Sequence, residues 1–147
     1  MSTDTGSLPS EVAIHALKLL AARDFEGLRA LLAPDVTLDW PFHQSGSPVR
    51  IEGADSLMDA VRIIKVFQDL EIRILEFNEQ KDGGTSIIEA RSRGTYADGR
   101  PDYTNHYIFI LKIVNGKVTR WREFYNPLEV MKAAAGTKAG KTAPARA

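Results

Sequence analysis

The chain has no cysteine among its 147 residues. That excludes disulfides, thiolate nucleophiles and cysteine-ligated zinc. Only three histidines are present, His15, His43 and His106, and no two stand four apart as a helical metal motif requires. Neither charge sign is in excess: 19 basic residues balance 19 acidic ones. A formal net charge of zero leaves no electrostatic footprint for nucleic acid or an anionic membrane. No apolar run approaches the roughly 20 residues of a membrane span. No glycine-rich phosphate loop is present, since Gly83-Gly84 reads as a hairpin turn. Met1 to Ser7 lacks the basic and apolar regions of a signal peptide, so a soluble, cytoplasmic protein is expected.

What is present is an ordinary globular composition, 44% apolar, at a length that fits one core. Residues 1–8 read as a flexible start, 9–135 as a single domain and 136–147 as a disordered tail of Ala, Lys, Gly, Thr and Pro. Pro9-Ser10 opens a first helix with Ser10 as the expected N-cap. A second helix starts at Asp24, buries Leu28, Leu31 and Leu32, and ends at Pro34-Asp35. Val36 to Trp40 reads as a short strand. Ala54 to about Phe67 reads as a third helix with Leu57, Val61, Ile64 and Phe67 along one side. After Leu70 the period changes to two. Four strands follow: 71–77, 85–96, 103–114 and 117–125. Asn115-Gly116 is the clearest two-residue hairpin signal among their turns. Residues 128–135 suit a short closing helix. Helices first and long antiparallel strands afterwards is an α+β pattern. The expected architecture is three N-terminal helices packed in a strongly curved, mostly antiparallel sheet, with a small-molecule cavity between the two.

The last strand carries the chemistry. Trp121, Glu123 and Tyr125 share one face by alternation; Arg120, Arg122 and Phe124 share the other. A carboxylate among aromatic rings loses hydration, and its pKa rises from about 4.3 toward 6 or 7, where a carboxyl group can both take and give a proton. The competing reading of Glu123 is a solvated ion pair with Arg120 or Arg122. If Asn115-Gly116 closes a strict two-residue turn, Ile108 pairs with Glu123 and His106 with Tyr125. His106 is then diagonal to Glu123 on one face, and Tyr103 and Asn105 lie on the other. A β-bulge or a sharp curl in the long strand could instead bring Tyr103 and Glu123 onto one face, and the sequence leaves both arrangements open.

Asp39 is another possible acid, beside Trp40, Pro41 and Phe42. Asp59, on the third helix, and His43, in a loop, suit solvated positions. Glu89, Arg91 and Arg93 alternate along one strand as an exposed or dimer-facing stripe, in which one arginine could hold an anionic substrate.

Short motifs in a common order resemble a known family. They are Phe25 to Val36, Gly53-Ala54-Asp55, Gly46-Ser47-Pro48, Ile51-Glu52-Gly53, Lys65 to Asp69, Tyr103-Thr104-Asn105-His106 and the closing Arg122-Glu123-Phe124-Tyr125-Asn126-Pro127. Together they resemble the nuclear transport factor 2-like superfamily and its SnoaL-like polyketide cyclases, most of all the PhzA/PhzB-type phenazine-biosynthesis proteins. The resemblance implies a cone-shaped fold and a homodimer paired through the sheet. It also implies acid/base chemistry on a small hydrophobic cyclic or ketone-like ligand, without metal or cofactor. The family's acid/base glutamate matches Glu123, and a pocket tyrosine matches Tyr103. A pocket histidine and serine of the phenazine proteins fall at Asp59 and Ile63, so the pocket is recast here. The candidate site is therefore Glu123, Tyr103 and His106 as catalytic residues. Trp40, Phe42, Asp39, Asp59, Ile63, Asn105, Trp121 and Tyr125 would contact the substrate. The isomerase, cyclase, dehydratase and condensation readings stay open. So does a non-catalytic small-molecule-binding protein of the same fold, because fold does not fix function.

Overall fold

The structure, a computed structural model, describes residues 8–138. Helix α1 (Pro9–Ala22) carries proline in its first turn, where a missing N–H costs nothing. Its start is not capped by Ser10. Glu11 reaches back to the backbone N–H of Leu8 at 3.1 Å. Ser10 is buried inside the first turn and gives its backbone N–H to Glu79 at 2.7 Å. Arg23 ends α1 in the left-handed region, at φ 58°. Its guanidinium donates to the carbonyls of Phe67 and Gln68, which ties the end of α1 to a distant loop.

Helix α2 (Phe25–Ala30) is capped by Asp24, which accepts from the Gly27 N–H at 2.9 Å. It stops earlier than helical spacing predicts, because Leu32 and Ala33 already belong to strand β1 (Leu32–Trp40). Pro34 and Asp35 lie inside that strand, between Leu32 and Thr37, where its register with a neighbour shifts. Proline has no N–H for a ladder, so it is tolerated only at such a break. Strand β2 (Val49–Glu52) and helix α3 (Ala54–Val61) follow. The expected third helix tightens after Val61 into a 3-10 turn, Arg62–Val66. Next come β3 (Asp69–Glu79), β4 (Thr85–Thr95), β5 (Tyr103–Val114) and β6 (Lys117–Phe124). Asn115 and Gly116 take φ of 53° and 76°, the signature of a primed two-residue turn. Helix α4 (Pro127–Lys138) runs past the expected end of the domain at residue 135, and residues 139–147 lie outside the described region.

The six strands form one mixed sheet in the order β2-β1-β6-β5-β4-β3. Only the β1–β6 pair is parallel. The expected cone with a strongly curved sheet is not what the chain forms. The sheet is open, with β2 and β3 as its two edges, and is neither closed nor strongly curled. At its centre the β4–β5 ladder runs without a register shift from Thr85↔Lys112 to Gly94↔Tyr103. A ladder without a bulge offers no point at which to bend sharply.

The helices cover one face of this sheet. Leu17 of α1, Leu28 of α2, and Leu57 and Met58 of α3 are buried against Leu38, Ile88, Phe109, Leu111 and Trp121 of the strands. Burying such side chains is worth roughly 1.5–3 kcal/mol each. No described helix is long and apolar enough to cross a membrane.

Candidate active site

One slip of register assembles the site. Val114 faces Lys117, as a two-residue turn demands, and Ile113 faces Val118. Lys112 then faces Arg120, not Thr119. Thr119 is the extra residue of a β-bulge, and its hydroxyl donates to the Lys112 carbonyl at 3.2 Å. Beyond the bulge Glu123 faces Phe109, and Phe124 faces Ile108. Glu123 therefore stands on the helix-covered face with Trp121, Tyr103, Asn105, Tyr107 and Phe109. A third strand contributes from the other side. In the parallel pair Leu38 meets Trp121 and Asp39 meets Arg122, so the next step brings Trp40 alongside Glu123.

Neither neighbouring arginine pairs with Glu123. Arg120 lies 3.8 Å from Asp39, and Arg122 sits over the Phe124 ring at 5.1 Å. The carboxyl instead accepts a hydrogen bond from Trp121 Nε1 at 3.2 Å. Although Glu123 as a residue keeps some solvent contact, its carboxyl is sunk among protein atoms. Burial pushes the pKa up from 4.5 to about 7. The Trp121 and Trp40 indoles oppose that rise. Trp40 Nε1 is itself a buried donor without a hydrogen-bond partner among the described residues, so its influence on the carboxyl falls short of a formed bond.

Three tyrosines surround this carboxyl. Burial raises the pKa of Tyr103 and holds that of Tyr107 well above the ordinary 10. It lifts Tyr125 to about 12, and the Glu123 charge adds to the rise in all three. Each is a neutral hydroxyl donor at any physiological pH. The Tyr103 hydroxyl accepts from Asn105 Nδ2 at 2.7 Å, that of Tyr107 is 2.9 Å from Ser92 Oγ, and that of Tyr125 donates to Gln44 at 2.6 Å. Trp40 packs edge-on to Tyr125 with ring centroids 6.5 Å apart, and Phe67 stacks on Tyr103 at 5.7 Å. Gly94 makes room for Phe67: a Cβ there would overlap the ring.

The remaining sequence candidates lie elsewhere. His106 is on the opposite face of β5, 45% exposed, with Nε2 2.6 Å from Glu89. Asp39 is held by Arg50 at 2.7 Å, also away from Glu123. Phe42 is 61% exposed and meets Phe124 of the opposite face. Asp59 pairs with Arg62 at 3.0 Å in solvent, and Ile63 is exposed. Tyr107, Phe67 and Gln44 were not singled out from the sequence. Tyr107 was within reach of alternation, being two residues from Asn105. Phe67 was read as a core residue of a helix, and Gln44 carries no signal. A cleft of about 510 Å3 opens on the charged side, lined by Arg73, Arg91, Arg93 and His106 among others. Its charges are partly paired, as in Arg93–Asp102 at 2.8 Å, and the Glu123 carboxyl is not among its walls. Among the described residues no group of three or more His, Asp or Glu is placed to hold a metal ion.

Known proteins share this fold. An uncharacterised PhzA/B-like protein of Pseudomonas aeruginosa is 26% identical over 88% of this chain and 92% of its own length. The phenazine biosynthesis protein PhzB2 of the same species is 32% identical, over 60% of this chain and 57% of that one, so the match spans little more than half of that relative. A crystal structure of a phenazine biosynthesis-related protein (PhzB2) from Pseudomonas aeruginosa aligns with 95% of this chain and 92% of its own, at a TM-score of 0.68 and 22% identity. TerC, crystallised with polyporic acid, aligns with 84% of this chain and 94% of its own, at a TM-score of 0.69 and 19% identity. The family model described as SnoaL-like domain matches residues 13–121, from α1 through Trp121 in β6. With the match running from the first helix into the strand that carries Glu123, the chain belongs to the SnoaL-like domain family.

Proposed function

We propose that this protein is a cofactor-independent acid/base enzyme in which Glu123 moves a proton on a small hydrophobic cyclic or ketone-like compound. The observation that carries this reading is a carboxyl group buried among aromatic rings with no cation beside it among the described residues. A structural ion pair would hold the pKa down, whereas here it stands at about 7. At neutral pH such a group is divided between its two forms. It can take a proton from one position of a ligand and return it to another. Tyr103 would donate to the ligand oxygen on which charge develops. Trp40 and Tyr125 would supply apolar walls. Isomerisation, cyclisation, dehydration and imine condensation each include a proton transfer that such a group can carry. The PhzB2 relative, by name a phenazine-biosynthesis protein, and the polyporic acid held by TerC support a small cyclic substrate. We infer further that the chain pairs with a second copy through the outer face of the sheet, near Ile108, Ile110 and Phe124.

The decisive experiment is Glu123→Gln, assayed against a panel of enolisable cyclic ketones. We expect kcat to fall at least about a hundredfold with folding unchanged. A Gln variant that keeps full kcat would remove Glu123 from the mechanism. Carbon-13 NMR of the Glu123 carboxyl should show titration near pH 7; titration near 4.5 would equally undo the reading.

A further inference from the structure

The Tyr103 hydroxyl has its polarity set from behind. Asn105 is 5% exposed, and its amide is bonded on every side. Its Oδ1 accepts the backbone N–H groups of Asn126 and His106, both at 2.8 Å. Its Nδ2 donates to the Asn126 carbonyl at 3.1 Å and to the Tyr103 hydroxyl at 2.7 Å. The two backbone groups of Asn126 permit only one orientation of that amide, because an N–H cannot accept and a carbonyl cannot donate. The Tyr103 oxygen must then accept from Asn105, which leaves its own hydrogen to be given away. The Tyr107 hydroxyl, 2.9 Å from Ser92 Oγ, also interacts with that of Tyr103, as the donor of the two, so the Tyr103 hydrogen is not taken up by it. Phe67, stacked on the Tyr103 ring at 5.7 Å and 23°, holds the ring in place.

We propose that Asn105 is a positioning residue that locks Tyr103 as a donor into the site, so that the ligand must present an oxygen acceptor there, a ketone carbonyl or the enolate derived from it. The proposal rests on the Glu123 site being the seat of the ligand. It assigns Asn105, expected from the sequence to touch substrate, a role exerted through Tyr103. It also gives the site a direction. The ligand oxygen lies toward Tyr103, and the carbon that exchanges a proton lies toward Glu123. An ammonium head offers only donors to a hydroxyl whose oxygen is already engaged, and is disfavoured.

The test uses acetophenone carrying carbon-13 in its carbonyl, and ethylbenzene as a ligand of similar shape without the oxygen. Wild-type protein should bind the ketone at least about fivefold more tightly than the hydrocarbon, as one net hydrogen bond provides. The infrared carbonyl band of the bound ketone should shift to lower frequency. Tyr103→Phe should abolish both the preference and the shift. Asn105→Ala should weaken both while leaving ethylbenzene affinity unchanged, which loss of packing alone would not do. Should Asn105→Ala fail to fold, Asn105→Asp takes its place: a carboxylate cannot donate to Tyr103 and would draw its hydrogen away from the ligand, so both preference and shift should be lost, and their survival in either Asn105 variant overturns the proposal. An unshifted carbonyl band, an equal preference in Tyr103→Phe, or no ketone binding at millimolar concentration overturns the proposal. Glu123→Gln should keep the ketone preference and the band shift. If they persist while Glu123 titrates near 4.5, the acid/base reading falls and the donor lock stands.

Discussion

At the scale of single residues, the unusual group is one carboxyl that prefers to be neutral. Its pKa is about 7 in the folded protein and near 4.5 when solvated. Between those values the folded state holds a proton that the unfolded state has released. Folding stability should therefore fall as pH rises from 4.5 to 7 and level off above that. The displacement corresponds to roughly 3 kcal/mol if it is fully realised. Thermal melts of wild type and Glu123→Gln, recorded from pH 4.5 to 8, should diverge across this window, with only the wild type losing stability to that extent. Parallel curves would mean that the carboxyl is better solvated than its surroundings suggest. Much at this scale was legible beforehand. Alternation alone placed Trp121 and Tyr125 beside Glu123 and turned Arg120 and Arg122 away. Alternation cannot say which strand lies opposite, so Trp40 entered only as a wall, and its buried, unpartnered N–H was not foreseen.

At the scale of elements, one residue decides which side chains meet. The turn residues Asn115 and Gly116 announce a hairpin, but nothing in Lys117-Val118-Thr119 announces a bulge, since any residue can be accommodated in one. A strict ladder would have put His106 with Glu123 and sent Tyr103 to the far face. The slip at Thr119 reverses both. The helix ends were similarly half-legible. Hydrophobic spacing marked α1 and α3, whereas burial of Leu32 and Ala33 drew residues assigned to α2 into β1. A prediction belongs here. Gly94 on β4 faces Tyr103 across the ladder, and a methyl group there would overlap the Phe67 ring. Gly94→Ala should force that ring away and cost about 1–3 kcal/mol, the usual range for overpacking. Chemical denaturation measures the loss. The same variant should weaken ligand binding, because Phe67 no longer braces Tyr103. An unchanged midpoint would show that the 3-10 turn carrying Phe67 shifts freely.

At the scale of the whole molecule, the two faces of the open sheet are unlike. One is sealed by α1, α2 and α3; the other presents Ile108, Val114 and Leu75 at 38%, 44% and 40% exposure among charged side chains. We expect sedimentation to find a dimer at micromolar concentration and Ile108→Asp to convert it to monomer. A wild-type monomer at that concentration would rule out the proposed pairing. The α+β class was legible from the change of hydrophobic period after Leu70. The curvature of the sheet was not, because bending depends on where ladders break, and composition is silent on that.

The order of the strands also sets a timetable. Strand β1 is made early, yet its partner β6 begins at Lys117, so on the ribosome Trp40 must wait for 77 further residues. At ordinary elongation rates that is roughly 4 to 16 s. During that interval β1 has only the short β2 to pair with, and Trp40 has no glutamate beside it. On the proposed reading a nascent chain cannot complete its site until the last strand is synthesised, and truncation just before Glu123 should keep most of the core sequence while removing the proposed acid/base group.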